Sequence, residues 1–418
     1  MATYSLQDRA RAALELRRRR SQRQSEPTIT LAEFVQESWH VVEPTTRLEW
    51  NWHIDSVCDH VQALLFDWRE KQRKPDYQQR AQNFLINVPP GSMKSRVVSV
   101  AMPAWFWLYE PSWRALFLSA NPRVALRDSV WCRDLIESDW YQATFKPSWK
   151  LRDDNNAKSS YLNTAGGFRN AFGINSKITG DRGDALIVDD PHDANEVESD
   201  VKRLAVIERW DSAIQNRVND LRSSVRLGIM QRVHEMDWAG HVMSKGTWQR
   251  LLIRQEFERQ DDPTFLGWTD PRTKPGELMF PARFPRNVLD GQRLEMGERK
   301  YAAQHQQNPT PAGGNMFKIR NWRIVAKPLP CRRFVLSVDA TFKEGRKNDN
   351  VAIAIVGQTD VIRHIKKLGP VDSQGNQTFI DAPAYRYFIR SMWADKAGIT
   401  KTQQQILRIA SENPEAYT

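Results

Sequence analysis

A chain of 418 residues exceeds the size at which one hydrophobic core usually keeps growing, so two domains are expected. Its 40% hydrophobic content, with 16 Trp and 17 Phe beside 27% charged residues of both signs, excludes a disordered chain. The net charge of +11 is compatible with a polyanionic partner such as nucleic acid, while the absence of any run of about 18 apolar residues argues against a membrane span.

The start, MATYSLQDRARAALELRRRR, is charged where a signal peptide needs its apolar core, so export is not expected. Cys58, Cys132 and Cys331 lie far apart and form no CxxC pair. They indicate neither a disulfide framework nor a zinc site, and structural roles in a reducing cytoplasm are expected. Residues 1 to 24 carry seven arginines against Asp8 and Glu15. This basic arm, 1–30, reads equally as a phosphate-contacting or partner-docking helix and as a solvated tail.

From Asn83 onward short apolar runs alternate with helical patterns: FLINV, SRVVSVAMPAWFWLY, RALFLSA, VALRDSVWCRDLIESDW. Such alternation predicts a doubly wound, mainly parallel α/β sheet. A hairpin is expected in YLNTAGGFRNAFGI, followed by the strand ALIVDD. Next comes a helix with Leu204, Ile207, Trp210, Ile214 and Val218 on one face, and then the strand SSVRLGIMQR. From Gly267 to Pro311 the chain is rich in Pro, Gly and charge around a helix-like GERKYAAQHQQ, and NPTPAGGN reads as a linker. Beyond a boundary near Gly313, FVLSVDA, VAIAIVG and RHIKKLGPV read as strands, then PAYRYFIRSMWADKA and TQQQILRIASE as helices. The expected divisions are 1–30, 31–245, 246–312 and 313–418.

Three places could carry chemistry. VPPGSMKS joins a strand to a helix that opens with Lys94 and Ser95. Backbone N–H groups there can wrap phosphate, Lys94 can neutralise its charge, and Ser95 can ligate Mg²⁺. The strict GxxxxGK[ST] pattern fails at Val88 and Met93, so a Pro/Gly turn that merely precedes Lys and Ser is the alternative. ALIVDDPHD ends a strand in Asp189 and Asp190, suited to holding Mg²⁺ and to orienting or deprotonating a water. A helix cap in a solvated turn is the plain alternative.

Arg182, in TGDRGD before that strand, is expected near the γ-phosphate side, where an arginine could stabilise transition-state charge in cis or across a subunit interface. The plain reading is a turn arginine paired to Asp181 or Asp184. Gln231 and Arg232 end the next strand, where a polar group could sense a γ-phosphate. His234, Glu235 and His241 do not make HExxH, which argues against a zinc protease. The third place is SVDATFKEGRKNDNVAIAIV, where Asp339 and Asp349 flank a polar loop. They could belong to a two-metal nuclease, or be two hairpin-loop aspartates.

The order of these motifs resembles one family, the large subunits of tailed-phage terminases. PPGSMKS is similar to that family's phosphate loop, VDDPHD to its Walker B signature and MQRVHEMDWAGH to its coupling motif. AAQHQQNPTPAGGNMFK is similar to its inter-domain segment, and SVDATFK with NDN to its first nuclease motif. The resemblance covers roughly Trp52 to Val356 and implies a RecA-like P-loop ATPase in 31–245, a lid subdomain and linker in 246–312, and a partial ribonuclease H-like nuclease in 313–418. It implies ATP and Mg²⁺ on Pro90, Gly91, Ser92, Met93, Lys94 and Ser95, with Trp52 and His53 approaching adenine. Asp189 would hold the metal, Asp190 would be the catalytic acid, and Arg182 a trans-acting finger. Asp339 and Asp349 would bind Mg²⁺ or Mn²⁺.

The implied activity is ATP-driven translocation of double-stranded viral DNA into a procapsid, with cutting of concatemers. The implied setting is a homo-oligomeric ring with the portal protein and a small subunit, in the host cytoplasm and transiently at the portal vertex. Two departures stand out. Gly91 replaces an arginine common in the family's loop, and the chain reaches SENPEAYT before the family's second nuclease acid, so an incomplete nuclease is expected. A RecA-like helicase and a non-catalytic DNA-binding, portal-docking component are the alternatives.

Overall fold

Residues 29–176, 178, 180–310, 330–339, 351–360, 363–371, 377–395 and 399–417 are described by a computed structural model. The chain divides into two units, Met1–Met316 and Phe317–Thr418.

The strands of the first unit that read as unbroken apolar runs are buried on both faces, which is why they lack simple polar alternation. They are β1 (Asn83–Asn87), β2 (Ala115–Ser119), β6 (Ala185–Asp189) and β7 (Val225–Met230). With β3 (Leu151–Ala157), β4 (Ser160–Asn163), β5 (Phe168–Gly173) and β8 (Gln249–Leu252) they make one eight-stranded sheet of order β3-β4-β5-β2-β6-β7-β1-β8. All pairs from β5 to β8 are parallel, and only β3–β4 and β4–β5 are antiparallel. This is a mixed α/β fold around a large, mostly parallel sheet, and β4–β5 is the expected hairpin.

Alternate residues feed two cores. On β6, Ala185 and Ile187 join one hydrophobic cluster, and Leu186 and Val188 the other. The first cluster is covered by α1 (Leu31–Val42), α2 (Trp52–Arg73), α3 (Met102–Tyr109, after a π-wound Arg96–Ala101) and α4 (Pro122–Glu137). The second is covered by α6 (Asp200–Arg209, continuing π-wound through Trp210–Ile214) and α7 (Trp238–Ser244). The short α5 (Asp139–Phe145) precedes β3. On α6 the buried residues are Arg203 and Val206, followed by Trp210 and Ile214, while Leu204 stands half exposed. Over its first turns the buried face is thus Arg203 and Val206 in place of Leu204 and Ile207, with the Arg203 guanidinium satisfied by Val197 O and Asp200, while Trp210 and Ile214 are buried as expected.

Gly228 of β7 is required by this second core: a Cβ there would lie 2.5 Å from the Trp238 ring. Gly228→Ala is expected to destabilise the fold by about 1–3 kcal/mol through overpacking, read as a lower denaturant midpoint.

Topology places a site. The chain leaves β1 toward β2 on one side and returns to β1's other edge as β8, so β1 and β7 flank a switch point. Crevices at the carboxyl ends of strands at such a point are where α/β sheets take ligands. After β8 the first unit closes with α8 (Arg286–Met296) and α9 (Glu298–Gln304).

The second unit holds a four-stranded sheet, β13-β10-β9-β14, and a two-stranded sheet of β11 (Arg363–Val371) and β12 (Gln377–Ala384). β9 (Arg333–Asp339), β10 (Val351–Gln358) and β13 (Tyr387–Asp395) are antiparallel, and β14 (Ala416–Tyr417) is parallel to β9. Helix α10 (Ile399–Glu412) joins β13 to β14 and packs Ile409 with Leu336, Ile353 and Ile355. The helix expected in PAYRYFIRSMWADKA is therefore a strand, since its aromatic and branched residues pair with β10 along Tyr387 to Asp395. Among the described residues no helix is long and apolar enough to cross a membrane.

Candidate functional site

The loop after β1 turns tightly despite its missing glycines. Gly91 has φ +75° and Met93 φ +62°, so Met93 takes the left-handed conformation that the glycine pattern supplies without strain, at a cost of about 1–2 kcal/mol. Space decides the other position: a Cβ on Gly91 would meet the Phe284 ring at 3.0 Å. Lys94 and Ser95 then open the helix that runs into α3.

Lys94 is the hub. Its Nζ donates to Gln231 Oε1 at 2.6 Å and lies 3.1 Å from Asp190 Oδ2, with the side chain almost buried. Three chain-distant segments thus meet at the carboxyl ends of β1, β6 and β7. Asp190 has φ +44° and is fixed through its backbone, its N–H donating to Ile229 O and its carbonyl accepting from Ala120 N. One residue earlier, Asp189 accepts from Ser95 Oγ at 3.1 Å and from Ser99 Oγ at 2.7 Å. Burial, and then the neighbouring Asp190 carboxylate, push the Asp189 carboxyl up to about 7, against Lys94. Arg96 clamps the same helix start, pairing with Glu43 at 2.6 Å and Asp128 at 3.5 Å, and stacking on Trp131.

Trp52 and His53 open α2, and His53 reaches this loop. The buried His53 ring lies against the Ser92 backbone, its Nδ1 2.6 Å from Asn51 Nδ2, and burial above all lowers its pKa to about 4. Trp52 stacks near Trp268 and carries the Arg272 guanidinium over its ring. Ser92 Oγ and His53 Nε2 are buried polar atoms without a hydrogen-bond partner among the described residues. Such donors beside Lys94 fit an anionic oxygen-rich group such as phosphate. Ser95 and Asp189, already hydrogen-bonded to each other, supply the oxygen donors that Mg²⁺ takes alongside phosphate oxygens. Among the described residues, no group of three or more His, Cys, Asp and Glu could hold a metal by itself.

The buried Arg232 side chain is tied to Asp237, its Nε donating to both carboxylate oxygens at 3.0 Å. Arg182 corrects an expectation. It precedes β6 and donates to Asn216 O and Val218 O, at the opposite end of the strand from Asp189. A five-residue strand is roughly 15 Å long at about 3.3 Å per residue, so Arg182 lies away from the strand ends where Lys94, Asp189 and Asp190 meet, not beside them as expected. Asp339 ends β9, exposed and opposite Ala352, while Asp349 lies outside the described residues.

Ser99, Asp128 and Asp237 were not anticipated. Ser99 was findable, since it sits one helical turn after Ser95 on the same face. Asp128 comes from α4 and gave no local signal.

No family model and no curated protein matches the chain. Among solved structures it is similar to the large terminase of a thermophilic bacteriophage in complex with ADP, at 8% identity and TM-score 0.36, over 84% of this chain and 73% of that one. A second crystal form of that same large terminase gives 8% and 0.33, over 84% and 74%. The ATPase domain of a Thermus phage large terminase gives 14% and 0.39, over 56% of this chain and 91% of that one. The likeness is distant in every case.

Proposed function

We propose that the chain is a terminase-type DNA-packaging motor subunit that hydrolyses ATP. The observation that carries this reading is the meeting of Lys94, Asp190 and Gln231, with Ser95 on Asp189, at the carboxyl ends of three parallel strands. A phosphate loop, a metal-holding acid, a water-orienting acid and a polar sensor are the parts that phosphoryl transfer needs. The order of motifs from Trp52 to Val356 supports the terminase form of that machinery.

In this reading the loop from Pro90 through Met93 wraps phosphate with the N–H groups of Gly91, Ser92 and Met93 and with the Ser92 hydroxyl. Lys94 leaves Asp190 and Gln231 to neutralise the phosphate oxygens. Ser95 and Asp189 would hold Mg²⁺, which would supply positive charge against the charge that develops on the phosphate. Asp190, freed from Lys94, orients a water and accepts its proton, while Trp52 and His53 border the base. Arg182, at the far end of β6, serves a neighbouring subunit of a ring.

The second unit we read as ribonuclease H-like, with Asp339 and Asp349 binding Mg²⁺ or Mn²⁺ to cut DNA. The order β13-β10-β9-β14, three strands antiparallel and the fourth parallel beside the first, supports this. Double-stranded viral DNA, the portal protein and a small subunit are the partners, in the host cytoplasm and at the procapsid portal. The test is phosphate release by the full chain with and without double-stranded DNA. Stimulation of several-fold is expected; ATP turnover indifferent to DNA would contradict the packaging role.

A further inference from the structure

Residues 298–307 touch the segments that leave the carboxyl ends of β6, β7 and β8. After β6, Glu198 pairs with Arg299 at 3.0 Å. After β8, Gln255 N donates to His305 O at 2.8 Å, and the Gln306 amide bridges both backbone groups of Glu256, at 2.9 and 3.0 Å. After β7, the Arg232 N–H donates to Gln307 Oε1 at 2.9 Å. Gln306 and Gln307 are both buried.

The last of these bonds differs in kind. The N–H it uses belongs to the peptide joining Gln231 to Arg232, and Gln231 is the residue whose side chain accepts from Lys94. Gln307 also has φ +54°, a left-handed backbone unusual for glutamine that persists only where surroundings over-determine it. Its amide N–H₂ is anchored on Gln304 O, so the acceptor oxygen is held in one place. On the other side the Arg232 side chain is locked to Asp237. The Gln231 side chain is thus a movable group between fixed points.

We propose that Gln307 is a positioning residue for nucleotide hydrolysis: it fixes the Gln231–Arg232 peptide and so holds the Gln231 amide against Lys94. This rests on the ATPase reading above. When Lys94 moves to phosphate, the Gln231 amide loses its partner and re-forms its contact from a peptide that Gln307 keeps in register. The same bond makes residues 305–307 the first to feel a change at Lys94.

Gln307→Met removes the acceptor at similar volume, and Gln307→Glu keeps an oxygen for the Arg232 N–H. In the full chain with ATP and Mg²⁺, Gln307→Met is expected to lower kcat about tenfold to a hundredfold with KM for ATP nearly unchanged, and Gln307→Glu, which keeps the acceptor but loses the donor to Gln304 O, to recover part of it. Melting within a few degrees of wild type accompanies both. Equal loss in the two variants, a loss confined to KM, or unchanged kcat in Gln307→Met would overturn the proposal while leaving the ATPase reading intact. A wild-type chain without ATP turnover would remove both.

Discussion

Asp190→Asn is expected to reduce ATP turnover by about 10²–10⁴-fold while nucleotide binding survives. The carboxylate projects from a residue fixed at both backbone groups, by Ile229 O and Ala120 N, so its position owes nothing to the side chain. Asparagine keeps the size and is at home at φ +44°, so the fold should be unchanged. What it cannot do is accept a proton from water in the transition state. Loss of one attraction to Lys94 should even free that side chain for phosphate. Steady-state phosphate release with a parallel nucleotide titration separates the two quantities. Turnover near wild type would move the proton acceptor elsewhere.

Asp237→Ala is expected to be the most destabilising single change, by about 3–5 kcal/mol. Asp237 is fully buried and accepts from Arg232 Nε through both oxygens, from Val233 N at 3.0 Å and from Gly240 N at 2.8 Å. Its removal leaves the Arg232 guanidinium buried without a countercharge and uncaps α7 at once. Urea unfolding measures the loss. A change below about 1 kcal/mol would mean that Arg232 finds another partner or water. Because Arg232 follows Gln231, the variant should also lower turnover at temperatures where it remains folded.

Much of the first unit was legible because parallel strands buried on both faces announce themselves as apolar runs. FLINV overlaps four of the five residues of β1, and RALFLSA, ALIVDD and SSVRLGIMQR contain β2, β6 and β7 whole. Their order was not legible, since β7 inserting between β6 and β1 is decided by tertiary packing rather than by any local pattern. The misread elements have physical causes: on α6 a buried arginine, Arg203, stands in the core because Val197 O and Asp200 satisfy its guanidinium, and the mixed spacing in PAYRYFIRSMWADKA suits a helix until β10 supplies a pairing edge. At the site, residue types named Lys94, Ser95, Asp189, Asp190 and Gln231 because phosphate chemistry restricts the choice. That Arg182 falls at the end of β6 opposite Asp189 was also legible, since TGDRGD precedes the strand that Asp189 ends. Gln306 and Gln307 carry no chemical signature, and their role lies in which backbone groups they meet.

The central claim is hydrolysis at Lys94, and the direct measurement is phosphate release from ATP with Mg²⁺ by the full chain beside its Lys94→Ala variant. Wild-type turnover, with a loss of at least about 10³-fold in a variant that melts like wild type, is the expected result. Equal release by both proteins, or none by the wild type, would contradict it.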